Sequence, residues 1–187
     1  LINKYPVVSG APKPEDEVYK GDVGPGLDIY NKGSLISHSL RMLIGDAAFH
    51  QAATRLVYGR PDPQPGNFAP LYRSTGDFLN IVNTVTGQDY GWFFRGYLYN
   101  AALPVLTQTR EGGMLRLAWA TGDGGAFPMP LDVEIDGVVQ TVAMPGGWGQ
   151  IAVPAGAHVL IDPQNKVLRQ MDVIDELQAH KAAQKPK

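Results

Sequence analysis

The chain changes its hydrophobic period once, and that change limits what it can fold into. Before the run Asn100-Ala101-Ala102-Leu103-Pro104, apolar residues recur at intervals of three and four, the spacing of helices. After it, apolar and polar residues alternate in short runs separated by glycine and proline, the spacing of strands. Helices gathered in one half and strands in the other predict an α+β chain with an antiparallel β-sandwich as its second part. The parts expected are an extended arm at 1–27, a helical part at 28–102, a sandwich at 103–171 and a weak helical tail at 172–187.

The chain is long enough for such a core. Its 187 residues are 44% hydrophobic and 18% charged, the latter below the roughly 25% of an average soluble chain, which argues against disorder. A formal net charge of -2 creates no field that would draw in nucleic acid or an anionic membrane. No apolar run approaches the roughly 18 residues a membrane-spanning helix needs. With no cysteine there is no disulfide, no thiolate metal site and no cysteine nucleophile. The chain opens on Leu1, without methionine or a leader pattern, and is expected to be cut from a longer polypeptide.

The arm carries four prolines (6, 12, 14 and 25) and four glycines, so it is expected to be irregular. A helix is predicted over 28–44, with Asp28 as its N-cap, and a second over 46–58, capped by Asp46. Gly45, the link between them, suits a helix end. A proline-rich loop follows. Ser74 or Thr75, with Asp77 in the first turn, then starts a third helix that ends at Gly87. The fourth segment, 90–99, is crowded with aromatics, and Trp92, Phe93 and Phe94 are expected to seal the helices onto the strands. Strands are expected at 114–120, 131–135, 138–144, 148–153, 157–162 and 166–170, with Asp136-Gly137 as a two-residue hairpin turn.

A search for chemistry excludes more than it finds. None of the four histidines lies four residues from another, so no zinc motif is present. No phosphate-cradling glycine loop and no Gly-x-Ser-x-Gly elbow occur. Asp132, Glu134 and Asp136 fall on alternate residues of one strand. A solvated face is the expected reading, because the rest of a calcium loop is missing. What remains is the first helix. One stripe of it carries Tyr30, Ser34, Ser37, His38 and Arg41 at helical spacing, and Tyr30 in the first turn is either a packing anchor or part of a reaction site.

The run Tyr30-Asn31-Lys32-Gly33, followed by Ser34 to Arg41 and by Leu43-Ile44-Gly45-Asp46 with Phe49, resembles the segment after the zinc site in gluzincin (aminopeptidase-N-like) zinc aminopeptidases. Later landmarks come in the same order: Ser74-Thr75-Gly76-Asp77-Phe78-Leu79, Thr86-Gly87-Gln88-Asp89, Trp92-Phe93-Phe94 and Leu103-Pro104-Val105-Leu106. The resemblance covers roughly residues 28 to 106. It implies the end of a thermolysin-like catalytic domain followed by an Ig-like sandwich. It also implies a catalytic Tyr30 that donates to the oxyanion formed during peptide hydrolysis.

Lys32 and Gly33 are then structural, the lysine stem lying over the helix and the glycine permitting close approach. Ser34, Ser37, His38 and Arg41 are candidate cleft-lining residues, with solvation or a salt bridge as the other reading of His38 and Arg41. Zinc, the glutamate base and their motif would belong to an upstream catalytic domain of the same polypeptide, which is the expected partner along with a peptide substrate. No metal would be bound by this chain, and alone it would be inactive. An exported or periplasmic bacterial location is favoured over the cytoplasm by that resemblance and the lack of cysteine. Two other readings stay open: a non-catalytic module whose sandwich holds a protein or glycan near Trp148, and a metal-free scaffold relative of the enzymes.

Overall fold

The computed structural model describes residues 1–9, 14–67, 69 and 71–173. The expected tail helix lies almost wholly beyond them. Among these residues five α-helices precede six strands: α1 (Glu15–Val18), α2 (Asp28–Ile44), α3 (Asp46–Tyr58), α4 (Thr75–Thr86), α5 (Gly91–Tyr97), then β1 (Val105–Glu111), β2 (Met114–Ala120), β3 (Leu131–Ile135), β4 (Val138–Val142), β5 (Trp148–Ala152) and β6 (Val159–Ile161). The class is α+β. The strands form two antiparallel sheets in the orders β1-β2-β5 and β4-β3-β6.

Local chemistry sets most of the boundaries. Ser74 accepts from the Asp77 amide (3.1 Å) while the Asp77 carboxylate accepts from the Ser74 amide (2.7 Å), a reciprocal cap that starts α4. Gly87 ends α4 in the left-handed conformation. The β3–β4 hairpin turns on Asp136 (φ 49°) and Gly137 (φ 84°), the positive-φ pair that a two-residue turn between right-twisted strands demands.

Side chains alternate as the pleat requires. Leu115 and Leu117 of β2 and Leu131, Val133 and Ile135 of β3 are buried, and the two sheets meet across them. The same core continues through Phe127 into the helical part. There the Phe127 ring lies 5.1 Å from Trp92, 5.3 Å from Tyr97 and 5.6 Å from Trp119, all edge-on. Phe93 and Phe94 are buried beside it. The aromatic segment therefore joins helices to sandwich, as its density of rings implies.

Several expectations fail for identifiable reasons. Strand β1 was not foreseen, because nearly every residue of it is exposed and an edge strand of this kind shows no alternation. The short helix α1 interrupts an arm expected to be irregular. Residues 166–170 form no strand. Their backbone groups bond elsewhere: the amides of Lys166 and Val167 donate to the buried Asp162 carboxylate, Leu168 donates to Ser39 Oγ, and Gln170 donates to the Pro104 carbonyl. Neither Asp28 nor Asp46 is an N-cap. Leu27 and Gly45 hold those positions, and both aspartates lie within the first turn.

Candidate functional site

Helix α2 presents two faces, and the inner one buries charged residues beside its apolar ones. Asp28, Lys32, Ile36, Ser39 and Leu40 are its buried residues. Asp28, 1% exposed, accepts from the backbone amides of Ile2 (2.9 and 3.0 Å) and Asn3 (2.7 Å) of the arm. Lys32, fully buried, donates from Nζ to the carbonyl oxygens of Asn100 (3.1 Å) and Ala101 (2.6 Å), at the junction between α5 and β1. Burial pushes the Lys32 ammonium down to about 8, and the nearby Asp28 carboxylate offsets part of that. The stem therefore does not lie over the helix surface; it enters the fold. A signal was present in the sequence, since Asp28 and Lys32 extend the Ile36–Leu40 stripe at four-residue steps.

Further along the inner face, Ser39 Oγ accepts from the Leu168 amide (2.9 Å), and the Leu168 carbonyl accepts from the Tyr97 hydroxyl (2.6 Å). This chain of bonds links α2, α5 and the segment after β6. Burial pushes the Tyr97 phenol up, so it stays protonated and keeps donating.

The outer face carries the predicted stripe. Tyr30 is 58% exposed and its ring stacks on Tyr19, with centroids 6.4 Å apart and planes 18° apart. It is not buried among Phe49 and Leu56, and its ring contact is with Tyr19 of the arm. Ser34, Ser37 and His38 are exposed and Arg41 is half-buried. The two serines turn their hydroxyls back onto the helix, Ser34 to the Asn31 carbonyl (3.0 Å) and Ser37 to the Gly33 carbonyl (2.9 Å). Arg41 makes a two-point pair with Asp46 (2.8 and 3.0 Å), which occupies the carboxylate expected to cap α3.

Gly33 and Ser37 also line a groove of about 650 Å³ whose walls come from α2, α3, α4 and α5, the segment before α4, and Val7 and Val8 of the arm. The groove is mainly apolar, with Ile36, Phe78 and Phe93 among its walls. A side-chain carbon at Gly33 would meet nothing within 4 Å, so this glycine opens space and does not permit a close approach within the described chain. The stripe and the groove thus meet at Ser37, with Tyr30 on the open side and Gly33 at the groove wall.

The acidic strand face divides in the structure. Asp132 pairs with Lys166 (2.7 Å) and accepts from Thr141 (2.6 Å), while Asp136 caps the His158 amide (2.9 Å) from the hairpin turn. Among the described residues no group of three or more ligand-type side chains could hold a metal ion. No helix among them is long and apolar enough to cross a membrane.

No family model and no curated protein sequence matches this chain. A solved structure does: that of aminopeptidase A from Legionella pneumophila in complex with aspartic acid superposes with a TM-score of 0.52 over 88% of this chain, at 17% identity. The likeness is one of fold. This chain spans 17% of the length of that enzyme's chain, so it corresponds to a small part of it.

Proposed function

We propose that the chain is the C-terminal part of a zinc aminopeptidase of the gluzincin type, and that Tyr30 is its transition-state-stabilising residue. The observation that carries this reading is the exposed Tyr30 at the start of a helix whose first turn is fastened from within by Asp28 and Lys32. The ordered landmarks from Tyr30 to Leu106 and the likeness in fold to the Legionella aminopeptidase support it. The described residues do not fit zinc, so the metal and the base that activates water would be held upstream in the parent polypeptide. Only the tyrosine's own part is assigned to this chain.

That part is electrostatic. When the hydrolytic oxygen adds to the scissile carbonyl carbon, the π pair moves onto the carbonyl oxygen. The Tyr30 O–H donates a hydrogen bond to that developing charge. When the C–N bond breaks, the pair returns to re-form the carbonyl, and the departing amine takes up a proton. A positioned donor that meets the charge only in the transition state contributes roughly 10²–10³ in rate. The other stripe residues play a lesser part in this reading: His38 and Arg41 flank the cleft, and the serines keep their hydroxyls on the helix.

The test is made in the parent polypeptide, extended upstream of Leu1. It should carry His-Glu-x-x-His and a further glutamate ligand, and Tyr30→Phe should lower kcat about 10²–10³-fold without changing zinc content. Unchanged kcat would remove Tyr30 from the mechanism, and an upstream sequence without the ligands would end the zinc reading in favour of a metal-free scaffold. One observation favours a second reading, a binding module: Trp148 is 59% exposed on the outer face of its sheet, opposite Ala118 and in the row next to Arg116 and Gln150. Retention on immobilised glycans that is lost in Trp148→Ala would support it.

A further inference from the structure

We propose that Lys32 is a positioning residue: by tying α2 to the carbonyls of Asn100 and Ala101, it sets where Tyr30 stands relative to the sandwich. The inference takes its functional meaning from the reading of Tyr30 above, but its physical content stands apart from it.

The geometry is that of a latch. Residues 30 and 32 lie two apart on a helix and so point to nearly opposite sides. Lys32 reaches inward while Tyr30 faces out. The two acceptors lie 68 and 69 residues further along the chain, where the last helix gives way to the first strand. A rotation or slide of the first turns of α2 would pull Nζ away from both carbonyls at once. Asp28, four residues earlier on the same face, holds the arm through the amides of Ile2 and Asn3. The first turn of α2 is thus fixed on two sides, and Tyr30 is carried between them.

Lys32 is a poor choice if stability alone is at stake. A buried ammonium facing two neutral carbonyls, with no carboxylate in contact, loses more hydration than it regains. The depressed value of about 8 reflects that cost. Among the described residues Asp28 is the one charged group that bears on it. The α5–β1 junction presents carbonyl oxygens to Lys32, and the arm meets Asp28 through backbone amides. What the ammonium provides is direction: donors on a single tetrahedral nitrogen meet two adjacent carbonyls.

The experiment is amide hydrogen exchange on the 187-residue chain at pH 7, comparing wild type with Lys32→Met. The variant should exchange about 10-fold faster or more in the first turns of α2, with α4 unchanged as an internal reference. Because the chain contains no cysteine, Lys32→Cys can be alkylated with bromoethylamine at that position alone, restoring an amine of lysine's length. The alkylated protein should recover wild-type exchange. Its sulfur makes the amine less basic, so its stability should begin to rise at a lower pH than that of wild type. Across pH 8 to 10.5 the folding constant of wild type should rise about 10²-fold more than that of Lys32→Met.

Exchange that is unchanged in Lys32→Met, that quickens evenly over the whole chain, or that alkylation does not restore would each overturn the latch. If Lys32→Met does not fold, the alkylated protein and the wild-type pH curve decide the matter. In the extended polypeptide, Lys32→Met should lower kcat and leave KM near wild type. Loss of kcat in Tyr30→Phe but not in Lys32→Met overturns the positioning role and leaves the function standing. No loss in Tyr30→Phe overturns the role assigned to Tyr30 and leaves the exchange result intact.

Discussion

Two of the buried charges, Asp162 and Lys32, hold this molecule together in opposite ways. Asp162 in the strand half is 2% exposed, and its carboxylate is fully matched: the Arg169 guanidinium donates at 2.8 Å and the amides of Lys166 and Val167 at 2.8 and 3.1 Å. Lys32 in the helical half is as deeply buried, but its acceptors are neutral carbonyls. One charge met its counter-charge within a few residues of loop. The other was left to polar backbone from a distant segment. Charge burial is tolerable where a counter-ion and hydrogen bonds replace water, and costly where only dipoles do. The first arrangement therefore anchors a loop, and the second trades stability for geometry.

The contrast can be broken at each end. Asp162→Ala should have the largest effect, about 3–5 kcal/mol, because it strands the nearly buried Arg169 and orphans two amides. Urea denaturation should show the lowered midpoint, and a loss below about 1 kcal/mol would mean that Arg169 finds water.

Next comes pH. The Lys32 ammonium titrates near 8 in the fold and near 10.5 in the unfolded chain. Below pH 8 both states hold the proton and the burial cost is present in full. Between 8 and 10.5 the folded state releases the proton first, so stability rises with pH by up to about 3 kcal/mol, and Lys32→Met should abolish that rise.

Ser74→Ala removes one half of the cap on α4 and should cost about 1 kcal/mol, seen as a small fall in thermal midpoint. Smallest is Tyr30→Phe. Its hydroxyl lies on an exposed ring, so stability should stay within about 0.5 kcal/mol. A large loss there would mean that Tyr30 supports the fold after all, and would weaken any kinetic use of the same variant.

The candidate site was legible only on its outer side. The stripe from Tyr30 to Arg41 follows from helical spacing, and its exposure agrees with that spacing. Its inner half was misread at Asp28, because a capping residue and a buried acceptor for the arm look alike in sequence. It was misread at Lys32 too, because a lysine on a helix ordinarily carries its ammonium to solvent. The neighbouring Tyr19 ring was not foreseen either, since no local rule pairs residues across the Gly21–Gly26 turn.

Local sequence determined most of the helix and turn boundaries. Ser74 with Asp77, Gly87, Asp136 with Gly137 and the change of period near Asn100 act within a few residues of where they sit, through backbone torsions and nearest hydrogen bonds. Tertiary structure alone decided which charged groups went inside. The partners of Asp28 lie 25 and 26 residues away and those of Lys32 lie 68 and 69 away, and they are backbone amides and carbonyls, carbonyls being common to all residue types and amide N–H groups to all but proline. No residue identity marks such a partner in advance. Only packing, which removes water from one side of α2 and brings the α5–β1 junction against it, makes those groups the ones available to Lys32.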